Sequence, residues 1–159
     1  MTTTPRTKSS TPGWQPYDLD YYAQEIVLEF RNIKDVLNES HKMRMTIAYG
    51  LERFWGEHLR LEREKPAKAK YWKAVWEKLH KILHDAGMEN FPNDDVKSSN
   101  PDKEKRKEEE RQKIKEMAKK IWSMSLNDQR VALMVLTQFC DSLVWWTQRY
   151  KTKGEQNDD

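Results

Sequence analysis

A single cysteine, Cys140, rules out an internal disulfide, and its apolar surroundings predict a reduced, buried thiol of the kind a cytoplasmic protein carries. Glycine is scarce at 5 residues, and no stretch alternates polar and apolar residues with period two, so a fold built on hairpins is excluded. No run reaches the roughly 18 apolar residues of a membrane span, and residues 1–16 lack the apolar centre of a secretory signal. A glycine-rich phosphate loop is missing as well. Gly50 and Gly56 do not have its spacing and read instead as points where two helices approach closely. Charge of one sign is also in short supply: the net charge is +3, so attraction to nucleic acid has to come from local clusters rather than from the whole molecule.

What the chain does have is charge and tryptophan together. Charged residues make up 35% of its 159 residues, yet 7 are Trp, which a disordered chain does not use so freely. One domain is expected, with the charges on outer helix faces and the aromatic residues closing a core or an interface.

Apolar residues at steps of three and four predict five helices in an all-α antiparallel bundle. The first covers about 17–38 through Leu19, Tyr22, Ile26, Phe30, Ile33 and Leu37. The second is expected from a cap at Asn38 or Ser40 to Lys65, with Ile47, Leu51, Phe54, His58 and Leu61 inward. Pro66 opens the third, about 67–86, which ends at Gly87. Residues 88–105 read as a mobile loop, with Asn100-Pro101 as the cap of a fourth helix whose first half, Lys103–Lys113, projects into solvent. Ser125 followed by Asp128 resembles a capping box and opens the fifth helix. From Val131 to Trp146, 12 of 16 residues are apolar and the exceptions, Thr137, Gln138, Asp141 and Ser142, form one narrow stripe, so this helix is expected to be buried on nearly every side. Residues 1–16 and 153–159 are expected to be disordered tails.

Candidate chemistry is thin. His80 and His84 stand four apart with Glu77 and Asp85 nearby, but they flank the apolar stripe among lysines, and a solvated surface explains them better than a metal. Cys140 has no histidine within a helical turn to activate it. No cofactor, metal or catalytic centre is expected. Basic clustering says more: residues 40–86 carry 11 Lys and Arg against 6 Asp and Glu, whereas residues 17–39 are acidic by 6 to 2. Lys42, Arg44, Arg53, Arg60 and Arg63 on the second helix, with Lys70, Lys73 and Lys81 on the third, are the candidate nucleic-acid contacts, since cations spaced by helical turns can follow a phosphate backbone. Trp145, Trp146, Arg149 and Tyr150 are the candidate partner interface, because adjacent tryptophans point about 100° apart on a helix and one can enter the core while the other serves a neighbour.

Phe139, Ser142, Leu143, Val144, Trp145, Trp146, Arg149, Tyr150 and Lys151, together with Ser40, Met43, Arg44, Tyr49 and Gly50, resemble the small helical subunit of type III CRISPR effector complexes. The chain departs from that pattern in its seven tryptophans, in Lys103–Lys113 and in Lys42, where a polar uncharged residue is expected. The resemblance implies a non-catalytic subunit that stacks with copies of itself, touches guide and target RNA through basic side chains, and meets the backbone and large subunits through its helices, with no membrane contact. The alternative from the residues alone is a helical adaptor that binds a protein through Trp145 and Trp146 and no nucleic acid.

Overall fold

The computed structural model describes residues 17–152. The tails expected at residues 1–16 and 153–159 lie outside them. Among the described residues the fold is all-α, with no strand, and it has six α-helices rather than the five expected: α1 Leu19–Phe30, α2 Glu39–Thr46, α3 Leu51–Glu64, α4 Pro66–Asp85, α5 Lys103–Trp122 and α6 Leu126–Tyr150. None of them is long and apolar enough to cross a membrane.

The extra helix arises because the expected second helix is broken. After a 3-10 turn at Ile47–Tyr49, Gly50 takes φ 99°, a conformation that L side chains rarely adopt, and α3 starts afresh at Leu51. Close helix approach is not the reason for either glycine, since a Cβ built on Gly50 or Gly56 meets nothing within 4 Å. The first helix is also shorter than its periodicity suggests. It stops at Phe30, and Asp35 at φ 64° reverses the chain so that Val36 and Leu37 return to the core while Ile33 is left outside.

Other boundaries follow their local chemistry. Gly87, at φ 101°, ends α4 with its N–H on the His84 carbonyl and that of Met88 on Leu83, the paired bonds of a left-handed C-terminal cap. The Ser125 hydroxyl accepts from the Asp128 N–H at 3.0 Å. Asp102, not Asn100, caps α5: its carboxylate accepts from Glu104 and Lys105, while Asn100 takes the Asp102 N–H in a turn of its own.

Helix α6 is the axis of the molecule. Ser40 meets Thr147 and Arg44 meets Asp141, so α2 runs antiparallel beside it, and α1 packs along another side with Asp20 against Trp146. Helix α4 runs antiparallel to α1, as shown by Glu25 with Lys78 and Phe30 with Tyr71, and forms a hairpin with α3 through Phe54 against Trp72 and Trp76. Ala132, Val135, Leu136, Phe139, Cys140 and Leu143 of α6 are buried, but the helix is not covered all round. Its outer stripe includes Leu126, Met134 and Trp145, about half exposed or more, because no described helix lies over that side.

Of residues 88–105, expected to be a mobile loop, 103–105 belong to the first turn of α5, while 88–102 form no helix or strand and make contacts at several points. Phe91 stacks near Trp76, whose indole N–H donates to the Pro92 carbonyl at 3.1 Å, and Val96 is buried. The segment then runs back along α5, where Lys120 holds Asp94, Lys113 holds the Lys97 carbonyl and Asn100 donates to Glu109. The charged first half of α5 is therefore solvated on its outer sides and lined by this segment on one.

A buried polar cluster locks α2, α4 and α6 together. The Ser40 hydroxyl bonds Tyr71 at 2.6 Å and Thr147 at 2.9 Å, so Ser40 is a core residue and not a helix cap. Beside it Glu39, only 1% exposed, accepts from the Trp72 indole at 3.0 Å and lies 3.2 Å from Lys42 and 3.4 Å from Lys68. Burial pushes the Glu39 carboxyl up, but the indole and the two ammonium groups outweigh it and hold it below the ordinary 4.5. Burial holds His58 below its ordinary 6.5, against the Trp55 carbonyl at 2.5 Å and the Glu62 charge, which pull the other way. In both groups the folded form binds its proton less tightly than the unfolded one. Their stabilisation is complete above the ordinary values and is lost as pH falls through the folded ones. The melting temperature is thus expected to decline below about 6.5 and more steeply below about 4.5. His58→Gln should remove the first decline alone, and an unchanged profile in that variant would show that His58 is not its source.

Candidate functional site

Helices α3 and α4 meet at Lys65, which leaves the helical conformation at φ −145°, ψ 76° and is followed by Pro66 in the first turn of α4. That turn carries no acidic residue, so no carboxylate there offsets the positive end of the 20-residue helix dipole. Arg63 in the last turn of α3, Lys65 at the corner and Lys70 in the second turn of α4 are all exposed and form no ion pair among the described residues. Lys65 was not among the expected contacts. Its signal was present in the sequence as a further cation in the run from Arg60 to Lys68, and it was missed because it falls between helices rather than on a face.

The remaining expected contacts are placed apart from this corner or already engaged. Lys42 sits on Glu39, and Arg44 donates to Asp141 at 2.6 Å. Arg60 bonds both Glu57 and Glu64, and Lys81 holds Asp85 at 2.8 Å beside the acidic side of α1. Arg53 lies over the Tyr49 ring at 5.5 Å. Lys73 is half-buried and faces His58 and Asp95 across a cavity of about 10 Å³, which has room for about one water molecule. The eight residues do not make one continuous face.

The four expected interface residues do come together. Trp145 is 48% exposed with the Arg149 guanidinium 3.5 Å from its ring centre. Trp146 turns inward, donates to Asp20 at 3.0 Å and stacks on Tyr150 at 5.2 Å. The adjacent indoles therefore divide as their angular separation on a helix requires, one to the surface and one to the body.

His80 and His84 lie on α4, and Cys140 lies inside α6. The two imidazoles stack at 6.1 Å, and among the described residues no three His, Cys, Asp or Glu side chains are placed to hold a metal. Cys140 is fully buried, which pushes its thiol well above the ordinary range. Fold and surface together give an all-α bundle with two separate exposed features, a basic corner and an aromatic helix end. Comparison of the chain with protein-family models, with characterised proteins and with solved structures finds no match.

Proposed function

We propose that the protein is a non-catalytic, cytoplasmic RNA-contacting subunit of an RNA-guided effector complex, stacking in copies along guide and target RNA and gripping the phosphate backbone at the α3–α4 corner. The observation that carries this is that Arg63, Lys65 and Lys70, exposed and without ion pairs among the described residues, flank the α3–α4 corner at the positive end of α4. Such contacts read charge and spacing but no sequence. Arg60, one turn before Arg63 on α3, adds to this grip only on leaving Glu57 and Glu64.

Replacing Arg63, Lys65 and Lys70 together by Glu is expected to weaken binding to unrelated RNA sequences by similar factors. The slope of log affinity against log salt should flatten by about 0.7 to 0.9 for each phosphate that is no longer neutralised. Helical circular dichroism should be unchanged, because exposed side chains contribute little to stability. Equal RNA affinity before and after the change, measured at low salt, removes the corner from consideration. In that event the second reading, a protein adaptor, takes precedence; it rests on the half-exposed Trp145 beside Arg149.

A further inference from the structure

We propose that the cleft between the end of α6 and the start of α1 receives an arginine side chain presented by a protein partner. The cleft is open, has a volume of about 310 Å³, and is lined by Asp20, Asp141, Ser142, Trp145 and Trp146. That space is at the small end of ligand sites and suits a single long side chain. Its back is a corner made by two indoles at 75° with centroids 4.6 Å apart. Their π faces attract a cation, and indole does so more strongly than any other side chain.

Carboxylates stand on the rim. Asp20 uses Oδ1 to hold the Trp146 indole in position, and Asp141 uses Oδ1 for Arg44, so each retains acceptor sites for a further donor. A flat cation that stacks on a ring while donating in its own plane satisfies both kinds of wall at once. Guanidinium has that shape and ammonium does not, which selects arginine over lysine. The chain already uses both contacts on its own guanidinium groups: Arg149 lies 3.5 Å from the centre of the Trp145 ring, and Arg44 donates to Asp141. Neither of these arginines lines the cleft. The site shares no residue with the α3–α4 corner, so it stands or falls independently of RNA binding there.

The test uses the full-length chain labelled with ¹⁵N and the peptide acetyl-Gly-Arg-Gly-amide, following the indole N–H resonances. Saturable shifts at Trp145 and Trp146, with little change at the exposed Trp122, are expected. The same peptide with citrulline, which keeps the shape and loses the charge, should bind about tenfold more weakly, and lysine should fall between. Asp20→Asn preserves an acceptor for Trp146 and should weaken the arginine peptide severalfold, while Trp145→Leu should abolish its effect. Equal response to arginine and citrulline, an equal shift at Trp122, or no saturation would overturn the proposal. The triple charge reversal at Arg63, Lys65 and Lys70 should leave the titration unchanged, which separates this outcome from that of the RNA reading.

Discussion

Replacing Leu136 by aspartate is expected to lower the unfolding free energy by more than about 3 kcal/mol, measured by urea denaturation. Leu136 is fully buried near the middle of α6, the helix against which α1 and α2 both pack. A carboxylate there would lose its hydration among apolar core side chains, and the helix cannot rotate to expose it because Val135, Phe139 and Leu143 fix the same face. Leu136→Met keeps volume and polarity and should cost less than about 1.5 kcal/mol. A loss below about 1 kcal/mol in the aspartate variant would mean that α6 is not the axis of the core.

Trp76→Ala is expected to cost about 3 to 5 kcal/mol and to free the segment after α4. This indole is 2% exposed, touches Phe54 and Phe91, and donates the hydrogen bond that holds the Pro92 carbonyl. Its removal leaves a cavity, and at the same time Phe91 loses the ring it packs on. Trp76→Phe fills most of the space and loses only the N–H, for about 1 to 2 kcal/mol. Limited proteolysis reads the second effect: cleavage within 92–100 should accelerate in the alanine variant under conditions where most molecules remain folded. Equal cleavage rates in wild type and variant would show that the anchorage lies elsewhere along α5.

Helix content, the C-terminal cap at Gly87, the serine cap of α6 and the division of two adjacent tryptophans between surface and body were legible in the sequence, because each depends on neighbours within one helical turn. The break at Gly50 was not, since Leu51, Phe54, His58 and Leu61 keep the period of the preceding stretch and only the backbone angle of one glycine interrupts it. Ser40 misled for a related reason: serine before an apolar run has the pattern of a cap, yet its partners Tyr71 and Thr147 are 31 and 107 residues away. The basic candidates illustrate the same limit. Sequence placed Arg44 and Arg60 on helices with cations at regular spacing, but whether a guanidinium is available depends on acids such as Asp141, which arrives from a different helix. Anchoring of 88–102 was invisible because its composition is polar and its few apolar residues, Phe91 and Val96 among them, show no period.

The burial of Cys140 gives the protein a built-in clock. With the thiol fully enclosed in α6, between Phe139 and Asp141, a maleimide or disulfide reagent has nothing to attack until that helix parts from its neighbours. Because the chain has one cysteine, every labelled molecule records one such opening. When reagent is plentiful, the labelling rate becomes the opening rate of the core itself; when reagent is dilute, it reports how often the open form is populated. Timing this reaction in the free chain and in an assembled complex would show how far a partner slows the opening of α6, with no probe attached to either surface at which partners are expected to bind.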